Sequence, residues 1–149
     1  MERLTVSLGF AEFPPDHTCD GGNRSPAITL KGLSAVSVAL YVTNPFMPGC
    51  SFCPWLIWNL PPLPVIPAGI PADPVVTAPV SAVQGENDYG TIGYTGPCPP
   101  QGATHRYQFR VYGLDTLLDI PPGSRVHDMV NAMRGHIIQF GTTIAMYRR

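Results

Sequence analysis

Apolar and polar residues alternate from the start of the chain. Leu4, Val6, Leu8 and Phe10 interleave with Thr5, Ser7 and Gly9, the period of a strand with one apolar face. Phe13-Pro14-Pro15 ends this run, and residues 16–26 read as a polar loop carrying Asp20-Gly21-Gly22-Asn23. Residues 27–30 predict a short strand. Residues 35–43 (AVSVALYVT), dense in β-branched side chains, predict a strong one. Residues 44–54 hold Pro45, Pro48, Pro54 and Gly49 and read as a loop. Residues 55–60 (WLIWNL) are apolar on both alternations, which predicts a strand buried on both faces. Residues 61–79 form a proline-rich connection. Loops of that length in compact domains are usually functional. Residues 80–83 predict a short strand and 84–102 a second long loop. Residues 106–114 (RYQFRVYGL) are the clearest strand, with Tyr107, Phe109 and Val111 on one face and Arg106, Gln108 and Arg110 on the other. Ser124 is the expected N-cap of a helix on which Val126, Met129, Val130 and Met133 fall at helical spacing, closed by Gly135. Residues 137–147 predict a last strand, with a bulge expected at Gly141.

The sum is roughly seven to nine strands, one or two short helices near the C-terminus and two long loops, without an internal repeat. Strands that do not alternate with helices argue for a mainly β fold and against a parallel sheet. The length of 149 residues fits one domain, 1–149. Charged residues make up only 13%, about half the usual share, so few solvated helix faces are expected. The net charge of -1 and the lack of a basic stripe exclude nucleic acid as a partner. The 18 prolines and 15 glycines cluster between patterned apolar runs, which marks turns instead of disorder. No apolar run approaches the roughly 20 residues of a membrane span, and the N-terminal segment has no long apolar core. The expectation is a cytoplasmic protein without a transmembrane segment, whose four cysteines, Cys19, Cys50, Cys53 and Cys98, are thiols.

The chemistry concentrates at the loop-to-strand junction 96–107. Period two puts His105 and Tyr107 on one face at the start of a strand, behind a turn containing Pro97, Pro99 and Pro100. An imidazole and a phenol there can donate two hydrogen bonds to a phosphate or carboxylate. A satisfied structural histidine at a strand end fits the same spacing, and both readings stand. Asp20, Asn23 and Ser25 fit Asx-turn chemistry better than a polar site. Cys50-Ser51-Phe52-Cys53 has the CxxC spacing, but no second pair completes a zinc ribbon and no βαβ unit supports a thioredoxin-type motif, so small packed thiols are the simpler reading. His127, in the first turn of the helix, is expected exposed, and His136, before the last strand, partly buried. No Ser/His/Asp order, P-loop or dinucleotide glycine pattern appears.

Several segments together resemble a known family. Thr18-Cys19-Asp20-Gly21-x-Asn23-x-Ser25-Pro26 is similar to the early T-C-D-G-x-N-x-S-P segment of bacterial and archaeal phosphatidylethanolamine-binding proteins, the Raf-kinase-inhibitor-like branch. Residues 55–61 resemble their H-W-V-x-x-N-I-P strand after its histidine. Asn87-Asp88-Tyr89-Gly90, Gly93-Tyr94, Gly96-Pro97 and Pro99-Pro100-x-Gly102-x-x-His105-Arg106-Tyr107 resemble their N-D-F-G to H-R-Y signature. Leu114-Asp115 and Gly135-His136-Ile137-Ile138 through Tyr147-x-Arg149 resemble the closing segment. The resemblance covers nearly the whole chain in order. It implies a sandwich of two antiparallel sheets with a small anion pocket at one end, which in some members takes phospholipid head groups. Other members inhibit kinases or proteases by protein contact, and bacterial relatives are often homodimers. Carried over by position, His105, Tyr107 and Pro100 match pocket residues. The departures lie opposite. The family's D-P-D-A-P turn falls on Asn44-Pro45-Phe46-Met47-Pro48, without either aspartate, and its pocket histidine falls on Pro54. Asn44 still offers hydrogen bonds without charge, and Phe46 and Pro54 make that wall more apolar.

The expectation is therefore a non-catalytic binding protein without cofactor. Its ligand-binding residues are His105, Tyr107, Pro100, Asn44 and Pro54. Its partner is a small anion or a phospholipid head group, with a protein kinase or protease and a second copy of the chain as further candidates. Two alternatives stay open. One is a protein-interaction module with a degenerate pocket that works through the proline-rich loops. The other is a metal or redox site on Cys50, Cys53 and Cys98, which the resemblance places around the pocket near His105.

Overall fold

The computed structural model describes residues 2–44 and 52–149. Ten strands occur among them, in chain order: β1 Glu2–Arg3, β2 Thr5–Ser7, β3 Ile28–Lys31, β4 Ser37–Asn44, β5 Phe52–Leu60, β6 Val65–Ile66, β7 Val75–Val76, β8 Ala82–Gln84, β9 Thr104–Leu114 and β10 Ile137–Arg148. A 3-10 turn spans Pro15–His17, and one α-helix, α1, spans Val126–Met133. The strands form a seven-stranded sheet in the order β1-β10-β9-β4-β5-β8-β7 and a three-stranded sheet in the order β2-β3-β6. Pairing is antiparallel throughout the interior; β1 alone runs parallel to its neighbour β10. The mainly β character expected from patterning, and the two sheets that the resemblance implies, are both observed.

Alternation along the central strands feeds two cores. On one face Val38, Leu40, Val42, Trp55, Ile57, Phe109 and Val111 pack against Val6, Ile28, Leu30 and Ile66 of the small sheet. On the other face Ala39, Leu56, Trp58, Tyr112 and Leu114 meet Met129 and Met133 of α1. Trp55 and Trp58 are both fully buried, one toward each core, which is why residues 55–60 carry no polar face. None of the described helices is long and apolar enough to cross a membrane.

Four expectations are corrected. The helix begins one residue later than predicted, with Arg125 as N-cap: the Asp128 carboxylate accepts from the Arg125 N–H at 3.0 Å, while Ser124 Oγ donates to the Pro121 carbonyl instead. Gly141 lies in regular pairing, and the register shift of β10 falls between Ile137 and Gln139. Glycine is required at 141 because a Cβ there would collide with the Leu4 carbonyl oxygen where the N-terminal segment crosses the sheet. The proline-rich connection is not structureless: it supplies β6 and β7, and the fully buried Gln84 anchors it. Gln84 Nε2 donates to the Pro71 and Asp73 carbonyls at 2.7 and 2.9 Å, and its Oε1 accepts from Trp55 Nε1 at 2.8 Å. Finally, β5 starts at Phe52, so Cys53 and Pro54 belong to a strand and not to a loop.

Candidate functional site

The ends of three central elements converge at one edge of the sandwich. β4 ends with Asn44, β5 begins with Phe52, and β9 brings His105 and Tyr107 on its core-side parity. With Tyr89 and Cys98 from the second long loop, these residues wall a cavity of about 170 Å³. The His105 and Tyr107 rings lie 6.5 Å apart between centroids, tilted by 42°. Asn44, buried, places its Nδ2 3.2 Å from His105 Nδ1. Burial holds the Tyr107 phenol well above its usual range, against a smaller opposing backbone hydrogen bond from Cys98, so it is a neutral donor at any ordinary pH. Burial also raises the Tyr89 phenol. Phe52 and Tyr89 meet edge to face at 4.7 Å, and the half-exposed Tyr89 adds apolar area at the mouth.

The second wall is held by the early polar loop. Cys19 and Cys98, 79 residues apart, form a disulfide, and the Cys19 N–H donates to the Pro97 carbonyl at 3.2 Å. Asp20 accepts from the Tyr147 hydroxyl and pairs with Arg149 at 3.2 Å. Asn23, at φ 55°, accepts from the Gly96 N–H at 2.7 Å, and buried Ser25 accepts from the Ile70 N–H at 3.0 Å. Asp20, Asn23 and Ser25 thus latch this loop to distant segments, through long-range bonds and not the local Asx turns their spacing suggests. Asn87 braces the second loop from within. Fully buried, it donates to Thr91 Oγ1 and the Gly93 carbonyl at 3.0 and 2.9 Å and accepts from the Tyr89 and Thr91 N–H groups at 3.0 and 3.2 Å. The neighbouring Asp88 accepts from the Cys53 N–H and from Arg125, each at 2.8 Å, tying the loop to β5 and to the start of α1.

His105, Tyr107 and Asn44 are therefore brought together. Pro54 is buried in β5, its carbonyl accepting from the Thr95 N–H at 3.2 Å, and Pro100 is an exposed turn residue; neither lines this cavity. Phe46 and Cys50 lie outside the described residues. The reading of four thiols is overturned for Cys19 and Cys98, and with it Cys98 as a metal ligand, because its sulfur is bridged. Cys53 is a buried thiol whose Sγ donates to the Trp55 carbonyl at 3.3 Å, and burial pushes its pKa up to about 12. It faces the α1 side of the sheet, away from His105. No grouping of three or more His, Cys, Asp or Glu side chains among the described residues could hold a metal ion. His127 is exposed as expected. His136 is exposed too, contrary to expectation, with Nδ1 2.8 Å from Asp115 Oδ1. Phe52 and Tyr89 are the wall residues that patterning missed. Each sat inside a motif read for other residues, the CxxC and the N-D-Y-G turn.

Comparison with known proteins agrees with this architecture. A UPF0098 protein of Pyrococcus abyssi is 42% identical over 153 residues, covering 100% of this chain and 86% of that protein. A UPF0098 protein of Methanothermobacter thermautotrophicus is 42% identical over 139 residues, covering 91% and 90%. The crystal structure of a phosphatidylethanolamine-binding protein homologue from Chlamydia trachomatis superposes with a TM-score of 0.86 at 30% identity, covering 100% of this chain and 99% of that one. Escherichia coli YbcL, a member of the same family, superposes with a TM-score of 0.84 at 27% identity, covering 98% of each chain. The family profile described as phosphatidylethanolamine-binding protein matches residues 8–148, and this chain belongs to that family.

Proposed function

We propose that the chain is a non-catalytic binding protein that takes a small phosphate- or carboxylate-bearing molecule in the cavity at the start of β9. One observation carries this reading: an imidazole, a phenol and an amide converge on about 170 Å³ whose described walls hold no carboxylate to repel an anion. The volume is below the ~300–1,000 Å³ of drug-sized ligand sites and suits a head group or a free phosphoester. His105 and Tyr107 are the donors, Asn44 orients the imidazole, and Phe52 and Tyr89 receive whatever apolar portion follows. The described walls contain neither a carboxylate pair nor a nucleophile beside a base, and the Cys98 sulfur is bridged. The thiols expected to follow from a cytoplasmic location are not found at Cys19 and Cys98, which are bridged. A disulfide is at home in oxidising compartments and also in intracellular proteins of hyperthermophiles.

Titration of the labelled protein with phenyl phosphate and with phosphoethanolamine, followed by nuclear magnetic resonance, tests the reading. Saturable shifts at His105 and Tyr107 are expected. His105→Ala, which removes a charge-assisted contact worth roughly 1.5–3 kcal/mol, should weaken binding about ten- to hundredfold. Absence of any shift at these two residues overturns it. A response to the aminated probe alone assigns the site to head groups, and an equal response to both assigns it to phosphoesters in general.

A further inference from the structure

The opposite face of the large sheet carries a second groove. α1 covers the Leu56, Trp58 and Tyr112 end of that face, and beyond its edge lies a cavity of about 350 Å³. Tyr41, Thr43 and Arg110 supply its sheet side, and Val126 and Val130 of α1 supply an apolar wall, with His127 at the rim. Register puts these sheet residues together. Tyr41 pairs with Arg110, and Thr43 pairs with Gln108, two residues along on the same face. His105 and Tyr107 have the other parity on β9 and face the other way.

Two polar atoms here have no hydrogen-bond partner although both are buried: Thr43 Oγ1, on a residue only 5% exposed, and Arg110 Nε. Buried polar groups are almost always paired, so two orphans on residues that line one cavity point to a ligand that pairs them. The Arg110 guanidinium lies 6.0 Å from the Tyr41 ring centroid and reaches the Tyr112 phenol. The ion pairs among the described residues engage Arg24, Arg125 and Arg149 and leave Arg110 without a carboxylate. Two acids adjoin the lining residues and both are engaged: Asp128 is held by His127 at 3.2 Å and by the Arg125 N–H, and Asp88, beside the lining Cys53, accepts from Arg125 at 2.8 Å. One uncompensated guanidinium matches one monoanion, and its planar fork matches a carboxylate. The valines opposite match an apolar body.

We propose that this groove is a second ligand site, taking a small organic carboxylate with its carboxylate on Arg110 and Thr43 and its apolar body on Val126 and Val130. Benzoate is a suitable probe, followed through the Arg110 Nε–Hε resonance and the Thr43 amide of the labelled protein, with inorganic phosphate in a parallel titration. Saturable benzoate shifts at both positions are expected. Arg110→Met should weaken benzoate at least about tenfold, and the near-isosteric Thr43→Val about fivefold. Benzoate shifts confined to His105 and Tyr107 overturn the proposal, as do an unsaturating response at Arg110 and unchanged affinity in Thr43→Val. Thr43→Val keeps the test open should Arg110→Met fail to fold.

Discussion

Replacing Cys19 and Cys98 together by serine tests how the cavity wall is held. The bridge joins residues 79 apart, and a closed loop of that length removes ~4.5 kcal/mol of unfolded-state freedom in the chain-entropy account. The native side changes less, because other bonds hold the two loops together. The Cys19 N–H still reaches the Pro97 carbonyl at 3.2 Å, Tyr94 Oη donates to the His17 carbonyl at 2.6 Å, and Gly96 donates to Asn23 at 2.7 Å. The double variant should therefore fold with its cavity recognisable and lose roughly 3–4.5 kcal/mol of stability, the lower figure allowing for a compact unfolded ensemble. Trp55 and Trp58 are fully buried, so their fluorescence reports urea unfolding directly. With a slope of about 1–3 kcal/mol/M, the midpoint should fall by more than about 1 M, and the slope should rise because the uncrosslinked chain exposes more surface. The wild type in reductant should follow the variant's curve. With Cys19 and Cys98 bridged, the unfolded protein should titrate two fewer thiols before reduction than after it. An equal count, or a wild-type midpoint that ignores reductant, would refute the reasoning.

Asn87→Ala should cost more than about 3 kcal/mol in denaturant unfolding, since it orphans the Gly93 carbonyl and the Tyr89 and Thr91 N–H groups at a fully buried position; a cost near 1 kcal/mol would show that the loop holds itself. Gly141→Ala should cost about 1–3 kcal/mol and lower the melting temperature, because the new methyl must push the Leu4 backbone off the sheet. Cys53 should resist thiol reagents in the native protein. Its folded pKa, raised by burial to about 12, exceeds the ordinary thiol value of 9.0, so its contribution to stability is intact below pH 9 and declines from there toward pH 12, by up to ~1.4 kcal/mol per pH unit. Denaturant melts across that range check the sign. A serine at 53 should flatten this part of the pH profile.

Most of the framework is legible because its strands obey period two over many residues. Residues 106–114 and 55–60 each carry enough alternation, or enough unbroken apolarity, to state which faces are covered. The two-residue strands β6 and β7 have too little length for any period, and they exist because Gln84 and the small sheet hold proline-rich backbone against neighbours far away in sequence. The parallel contact of β1 with β10 likewise depends on Gly141 letting the N-terminal segment pass. A glycine chosen for a close approach looks, in sequence, like one chosen for a bulge.

The site divides along a similar line. His105 and Tyr107 can be placed on one face from their spacing alone, since a strand's geometry fixes where two such residues lie relative to each other. Whether a void adjoins them depends on Asn44, Phe52, Tyr89 and Cys98, which come from three other segments, and no local rule relates those segments. The cysteine pairing shows why. A thiol reading followed from the absence of a secretory segment, which concerns the compartment, whereas the bond follows from two loops meeting at the cavity, which concerns geometry. The motif asparagines tell the same story from the other side. Asn23, Asn59 and Asn87 belong to the segments that carry the family resemblance, and each spends its side-chain amide on loop backbone: Gly96, Leu118 and Gly93 respectively. They brace the loops and the strand end around which His105, Tyr107 and Asn44 come together.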